Sequence, residues 1–308
     1  MIELSNGHKM EYVIASGALA FDGKGWFWER PLVAAGYIKP ELFTVFTKSL
    51  TRNRWAGNLR WRKPWECVRP IPGGSVNKIG LTNPGADWWC EKVAPGIDFE
   101  QYNIAGNIFG DAKELVYMAD KLNAFDLVAL EVNPSCPNTG HPMQTAEVVI
   151  ASVKKVVEAS RHPVIVKVSV AQDFLTISQG LEGYAEAISL NSVPWEIAFP
   201  RGERSPLWRL EKRVQGGGGG VSGGPAKQAN WAAVNILAKK GPLPVIGPSI
   251  MEYADLGKVR MMGAKAVSFG AIHLPSYPVW QQPWTLFTNP CKPTEIVLKD
   301  MAARNSGH

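Results

Sequence analysis

Residues 126–169 read DLVALEVNPSCPNTGHPMQTAEVVIASVKKVVEASRHPVIVKVS, and the periodicity of this stretch decides the fold. DLVALEVN (126–133) and PVIVKVS (163–169) are apolar runs too short for helices, bounded by Asn and Pro. Between them AEVVIASVKKVVEAS (146–160) carries its apolar residues at helical spacing. Strand, amphipathic helix, strand is the parallel crossover unit. Both strands are apolar on both faces, as expected of a sheet covered by helices.

The same alternation extends in both directions. YVIAS (12–16), FTVFT (43–47) and EQYNIA (100–105) read as strands before this unit; YAEAISLN (184–191), PVIGPS (244–249) and AVSFGA (266–271) read as strands after it. DAKELVYMADKL (111–122), AKQANWAAVNILAKK (226–240) and MEYADLGKVRMM (251–262) read as intervening helices. About eight such units in a chain of this length predict an α/β fold, a (β/α)8 TIM barrel forming a single domain over residues 1–308. A doubly wound open sheet is the rival, and it usually needs fewer strands.

Two stretches break the rhythm: TRNRWAGNLRWRKPWECVRPIPGG (51–74), basic and Trp-rich, and VPWEIAFPRGERSPLWRLEKRVQGGGGG (193–220). Both follow strands, so they are expected as loop insertions on the C-terminal face, as lids or partner surfaces.

Composition excludes several classes. With 45% hydrophobic and 19% charged residues, the chain is ordinary for a globular protein. The net charge of +6 suits anionic small molecules, and one Arg/Trp loop is thin ground for a nucleic-acid partner. The four cysteines, Cys67, Cys90, Cys136 and Cys291, form no CxxC pair, so no metal site is expected. No apolar run approaches the roughly 20 residues that cross a bilayer. MIELSNGHKMEYVIASG lacks the features of a signal peptide, so a cytoplasmic protein is expected.

In a barrel the strand ends converge on one mouth. The expected ends bring Ser16, Lys48, Ser49, Asn103, Asn133, Lys167, Asn191, Ser192, Pro248, Ser249, Gly270 and Ala271 there, with Cys136 and Asn138 just beyond Asn133. Taken singly, each has a plain structural explanation. A lone cysteine is usually a small buried hydrophobe, and a strand-end Asn a turn former. Lys167 is harder to dismiss, because VIVKVS surrounds it with apolar residues and a buried ammonium needs an anionic partner. Together, amides match a flat ring with alternating C=O and N–H groups. A lysine can stabilise charge developing on such a ring, and a thiol can remove a weakly acidic C–H proton. The combination points to flavin-dependent oxidation of a ring C–C bond.

These residues give the sequence its resemblance to the class 1 dihydroorotate dehydrogenase family. NPSCPN (133–138) resembles that family's cysteine loop and SVNKIGLTNPG (75–85) its N-x-x-G-L-x-N stretch. ASG (15–17), TKS (47–49), PVIVKVS (163–169), LNS (190–192) and GGVSG (219–223) follow in order. The resemblance implies FMN as cofactor and Cys136 as the base at C5 of dihydroorotate, with hydride leaving C6 for the flavin. It also implies Lys167 at the flavin N1 side and Lys48 between substrate and flavin. Asn77, Asn133, Asn138, Asn191 and Ser192, with the backbone of Ile79, Gly80 and Leu81, would hold the pyrimidine. Ser16, Ser49, Asn103, Leu190, Gly223, Gly270 and Ala271 would line FMN, with Asn133 beside them. The sequence departs from the pattern at Pro248, which has no N–H, leaving the hydroxyl of Ser249 as the substitute donor, and at Ala271, which lacks a hydroxyl. The implied partners are dihydroorotate and orotate, a second copy in a homodimer, and an iron–sulfur/FAD electron-transfer subunit if fumarate is not the acceptor. Two other readings stay open: an FMN oxidoreductase acting on another pyrimidine or an enone, and a flavin-free barrel serving as a partner subunit.

Overall fold

Eight parallel strands close into a barrel in chain order. They are β1 (Tyr12–Ile14), β2 (Thr44–Phe46), β3 (Asn103–Ile108), β4 (Ala129–Val132), β5 (Val164–Val168), β6 (Ala187–Leu190), β7 (Val245–Gly247) and β8 (Ala266–Phe269). The computed structural model describes residues 1–60, 62–134, 145–211, 217–273 and 290–306. The helices that follow the strands are α1 (Arg30–Ala34), α2 (Ala86–Lys92), α3 (Ala112–Leu122), α4 (Ala146–Ala159), α5 (Phe174–Gly180), α6 (Lys227–Lys240), α7 (Tyr253–Met261) and α8 (Lys292–Asn305). The expected (β/α)8 barrel is therefore the observed architecture.

Local chemistry sets the elements. Asp111 caps α3 by accepting from the backbone N–H of Lys113 and Glu114, and Glu114 reaches back to the Asp111 N–H. The helix then buries Leu115, Met118, Ala119 and Leu122, one stripe at helical spacing. Asp173 caps α5 through the Thr176 N–H. The short α5 has too few apolar repeats to stand out in the sequence.

The third strand differs from the expected 100–105. Asp98 bends residues 98–102 into a turn, its side chain accepting from the N–H groups of Glu100 and Gln101 and its carbonyl from that of Tyr102. Pairing therefore starts at Asn103 and runs to Ile108.

Alternation inside the barrel sorts side chains into storeys. Val13, Phe46, Ala105, Ala129, Ile165, Ala187, Ile246 and Ala266 pack together as an apolar floor, closed from below by Ile2, Leu4 and Met10 of an N-terminal hairpin. Two residues further along the strands stand Lys48, Asn107, Glu131, Lys167, Ser189 and Ser268, all buried. Two further again, on the fourth and sixth strands, stand Asn133 and Asn191. The period of two that defines a strand thus converts an apolar floor into a polar mouth.

The two insertions and the residues just after each supply a four-stranded antiparallel sheet, in the order Val193–Pro194, Gly220–Gly223, Gly74–Asn77, Val68–Ile71. It has its own small core, including Ile71, Val76, Val193, Trp195 and Val221. Glycine is required where its strands cross most closely. A Cβ on Gly74 would lie 2.2 Å from the Ser222 carbonyl oxygen, and Gly223 has φ +92°. Among the described residues no helix is long and apolar enough to cross a membrane.

Candidate active site

A cavity of about 470 Å³ opens at the C-terminal mouth between the barrel and the antiparallel sheet. Its base is Phe46, Ile246 and Val13 from the floor, and its polar wall is Lys48, Glu131, Lys167, Ser189 and Ser268. The expected pyrimidine-binding groups Asn77, Asn133, Asn191 and Ser192 line it, as do Ile79, Gly80 and Leu81. The expected flavin-lining residues Ser16, Ser49, Leu190 and Gly223 lie on the same surface, and so do Pro248, Ser249, Gly270 and Ala271. Cys136 and Asn138 lie outside the described residues.

Asn103 does not belong to this group. It has the inward parity of its strand but stands at the opposite end, beside Thr44 and His8 in a small pocket at the bottom of the barrel. The misplaced strand put it four residues too high, roughly 13 Å along the chain direction. Asn107 is the inward residue of that strand nearest the cavity.

Lys167 finds the anion that burial demands. Its Nζ is 3.1 Å from Oε2 of Glu131, which is 1% exposed. Asn107 Nδ2 donates to the same oxygen, and Ser189 Oγ donates to Oε1 at 2.5 Å. One storey up, Asn191 Nδ2 donates to Asn133 Oδ1 at 3.2 Å, and the Asn191 Oδ1 accepts from the Ser192 N–H at 2.8 Å. The amides are thereby oriented before any ligand arrives. Ser16 Oγ donates to the Thr47 carbonyl at 2.8 Å and lies 3.2 Å from Ser49 Oγ.

Backbone strain gathers here. Three described non-glycine residues have left-handed φ: Ala20, Leu81 and Ser249. Leu81 and Ser249 line the cavity, and the Ala20 carbonyl accepts from the Lys48 N–H. Such conformations cost about 1 kcal/mol or more each, and they cluster where a site needs the chain held in one place. Ser249 is fixed further by Asn230, whose Nδ2 donates to its hydroxyl at 3.2 Å, while Trp231 Nε1 donates to the Pro248 carbonyl.

Sequence reasoning missed several members. Glu131 sits inside an apolar run, and its place two residues beyond Ala129 gives it the inward parity. Lys78, just beyond the first insertion, is fully buried and donates to the Gly217 carbonyl of the second at 2.8 Å. Glu29 and His273 form a buried pair on the cavity wall, 3.6 Å apart. Among the described cysteines, burial pushes the Cys67 and Cys90 thiols up to about 11 and raises Cys291, so none of the three acts as a base near neutral pH.

The dihydroorotate dehydrogenase family model matches residues 31–279. The chain is similar to the catalytic subunit of dihydroorotate dehydrogenase B (NAD(+)) of Petrotoga mobilis, 29% identical over 273 residues, 85% of this chain and 84% of that one. It is 33% identical to the corresponding subunit of Desulforamulus reducens over 270 residues, 83% of this chain and 80% of that one. The solved structure of the Amycolatopsis orientalis BexX/CysO complex aligns over 100% of this chain and 97% of its own, with a TM-score of 0.51 and 13% identity, a likeness of fold alone.

Proposed function

The chain belongs to the dihydroorotate dehydrogenase family, and on that premise we propose that it oxidises dihydroorotate to orotate with FMN bound across the barrel mouth. The observation that carries this reading is one cavity in which paired amides, Asn133 and Asn191, follow the two strands that flank the strand of a buried lysine, Lys167. The amides offer donors and acceptors to the imide edge of a pyrimidine, and Lys48 and Lys167 face the charge of an anionic ring.

The residues present fit a flavin mononucleotide. The cavity has the size of small-molecule and cofactor sites. It also carries unsatisfied polar atoms, since Ser75 Oγ and Asn230 Oδ1 are buried without a hydrogen-bond partner among the described residues. The phosphate would meet the Ser249 hydroxyl and the backbone at Gly223, Gly270 and Ala271, with Pro248 contributing no N–H. When bound, the flavin supplies the acceptor for the hydride from C6 of dihydroorotate. This chain's part is to hold the ring on Asn77, Asn133, Asn138 and Asn191 and to take the C5 proton on Cys136. Loss of that proton and the hydride leaves the C5=C6 double bond of orotate.

The relatives are named as NAD(+)-linked catalytic subunits. That naming favours a separate electron-transfer subunit, carrying iron–sulfur and FAD groups, over fumarate as the acceptor. The test is anaerobic mixing of the FMN-loaded protein with dihydroorotate. Bleaching of the flavin spectrum with formation of orotate is expected, and an unchanged spectrum at saturating dihydroorotate refutes the assignment. Acceptors are then screened against the reduced protein.

A further inference from the structure

Glu131 is a charge in the cavity that the proposed chemistry leaves without a task. Its carboxylate is gripped from both sides, by Ser189 on Oε1 and by Asn107 on Oε2, so Lys167 faces a fixed anion. The level sets of the barrel explain the fit. Glu131 is in register with Asn107 on the third strand, and Lys167 with Ser189 on the sixth. All four rise from alanines or an isoleucine of the floor, and Glu131, Lys167 and Ser189 line the cavity.

We propose that Glu131 sets the reduction potential of the bound flavin by opposing the positive charge of Lys167. The proposal rests on the reading that this cavity holds FMN. Two-electron reduction puts negative charge on the flavin, and a nearby ammonium stabilises that charge. A carboxylate 3.1 Å from the ammonium turns a single charge into a short dipole, whose field falls off faster. The site then takes electrons from its substrate without holding them too tightly to pass on. If Glu131 only compensated the burial of Lys167, its replacement would lower stability and leave the potential where it was.

The experiment compares reduction potentials of the FMN-loaded wild type and Glu131→Gln, poised anaerobically against a reference dye. The expected result is a shift toward the reduced flavin by about tenfold or more in the equilibrium, which is about 30 mV for a two-electron couple. Should Glu131→Gln not fold, the wild type is compared with Lys167→Met/Glu131→Gln, since removing both members of a buried pair is better tolerated than removing one. A potential within about 30 mV of the wild type is expected for that double variant, because an opposed charge adds little, and a larger shift toward the oxidised flavin shows Lys167 acting unopposed and overturns the proposal. Potentials of wild type and Glu131→Gln agreeing within roughly twofold, with flavin retained, likewise overturn the role of Glu131 and leave the FMN reading intact. A wild-type chain that takes up no FMN overturns both.

Discussion

At the scale of the residue, Lys167 carries two predictions in one side chain. Replacing it with alanine removes the charge that the proposed function aims at the reacting ring and, among the described residues, leaves Glu131 with Asn107 and Ser189 as partners. Lys167→Ala is expected to slow flavin reduction by several kcal/mol of transition-state stabilisation, in the manner of losing a preorganised charge. It is also expected to cost about 3–5 kcal/mol of stability, because an uncompensated buried charge remains. Stopped-flow reduction and thermal melting of the same preparation separate the two, and wild-type reduction rates would end the role given to this lysine. Cys136→Ser is expected to keep FMN and orotate binding but to slow reduction by roughly 10²–10⁴, the usual weight of a general base. Wild-type reduction should rise with pH and level off once a thiol base is ionised, and the serine variant should lose that profile. Equal rates and profiles would reduce Cys136 to a packing residue. Most cavity residues were legible in the sequence because strand ends in a barrel must converge. Glu131 was not, because a single carboxylate inside LVALEVN is easily read as noise unless inward parity is counted from Ala129.

At the scale of the element, α8 shows how the barrel is closed around its first strand. Asp300 accepts from Tyr12 of β1 at 2.5 Å and from Arg260 of α7, and it is joined by Arg304 one turn on. Glu11 completes the cluster by pairing with both arginines. Burial works against the charge on Asp300, but the hydrogen bonds from Arg260, Tyr12 and Arg304 outweigh it and hold its carboxyl at about 2. A folded-state value below the unfolded one stabilises the protein above the unfolded value, and that stability is lost as pH falls through the folded one. The contribution is roughly 2 kcal/mol, fully present above about pH 5 and gone by about pH 1. Asp300→Asn should therefore lower the melting temperature at neutral pH and flatten its fall between about pH 5 and about pH 1. Parallel acid profiles for variant and wild type would show that the cluster is ornamental. None of this was legible in the sequence, since residues 288 positions apart meet only when the barrel closes. The long helices with clean apolar stripes and the eight strands were legible. The third strand's start was not, because the turn made by Asp98 leaves no mark on hydrophobic periodicity.

At the scale of the whole molecule, charge is distributed unevenly around the mouth. The segment 51–66 holds Arg52, Arg54, Arg60, Arg62 and Lys63 against Glu66. It is also tied to the cavity's rim: Asn58 Nδ2 donates to the Lys78 carbonyl at 2.8 Å, Leu59 N–H to Thr82 Oγ1, and Leu59 and Pro64 line the cavity. The insertion expected as a lid or partner surface contributes to the wall and also presents basic and aromatic side chains outward: Arg52, Arg54 and Lys63 are exposed, and Trp55 and Trp65 are 36% and 47% exposed. On the reading proposed above, an electron-transfer subunit would approach the flavin closely, and this rim is the ground it would meet. If the partner docks there through acidic groups, long-range attraction will steer it and salt will screen it, the Debye length falling to about 3 Å at 1 M. NAD-linked turnover at limiting partner concentration should then fall steeply between about 50 mM and about 500 mM salt. Reduction of the isolated chain's flavin by dihydroorotate should change little over the same range, because Lys167 and Glu131 are buried and screened far less. Reversing two rim charges, Arg52→Glu with Arg54→Glu, should weaken coupled turnover at low salt and abolish most of its salt dependence, with flavin reduction unaffected. The measurement is NADH formation against partner concentration at several ionic strengths, for wild type and the double variant. Identical salt profiles for the two proteins would place the partner's docking surface away from the 51–66 segment.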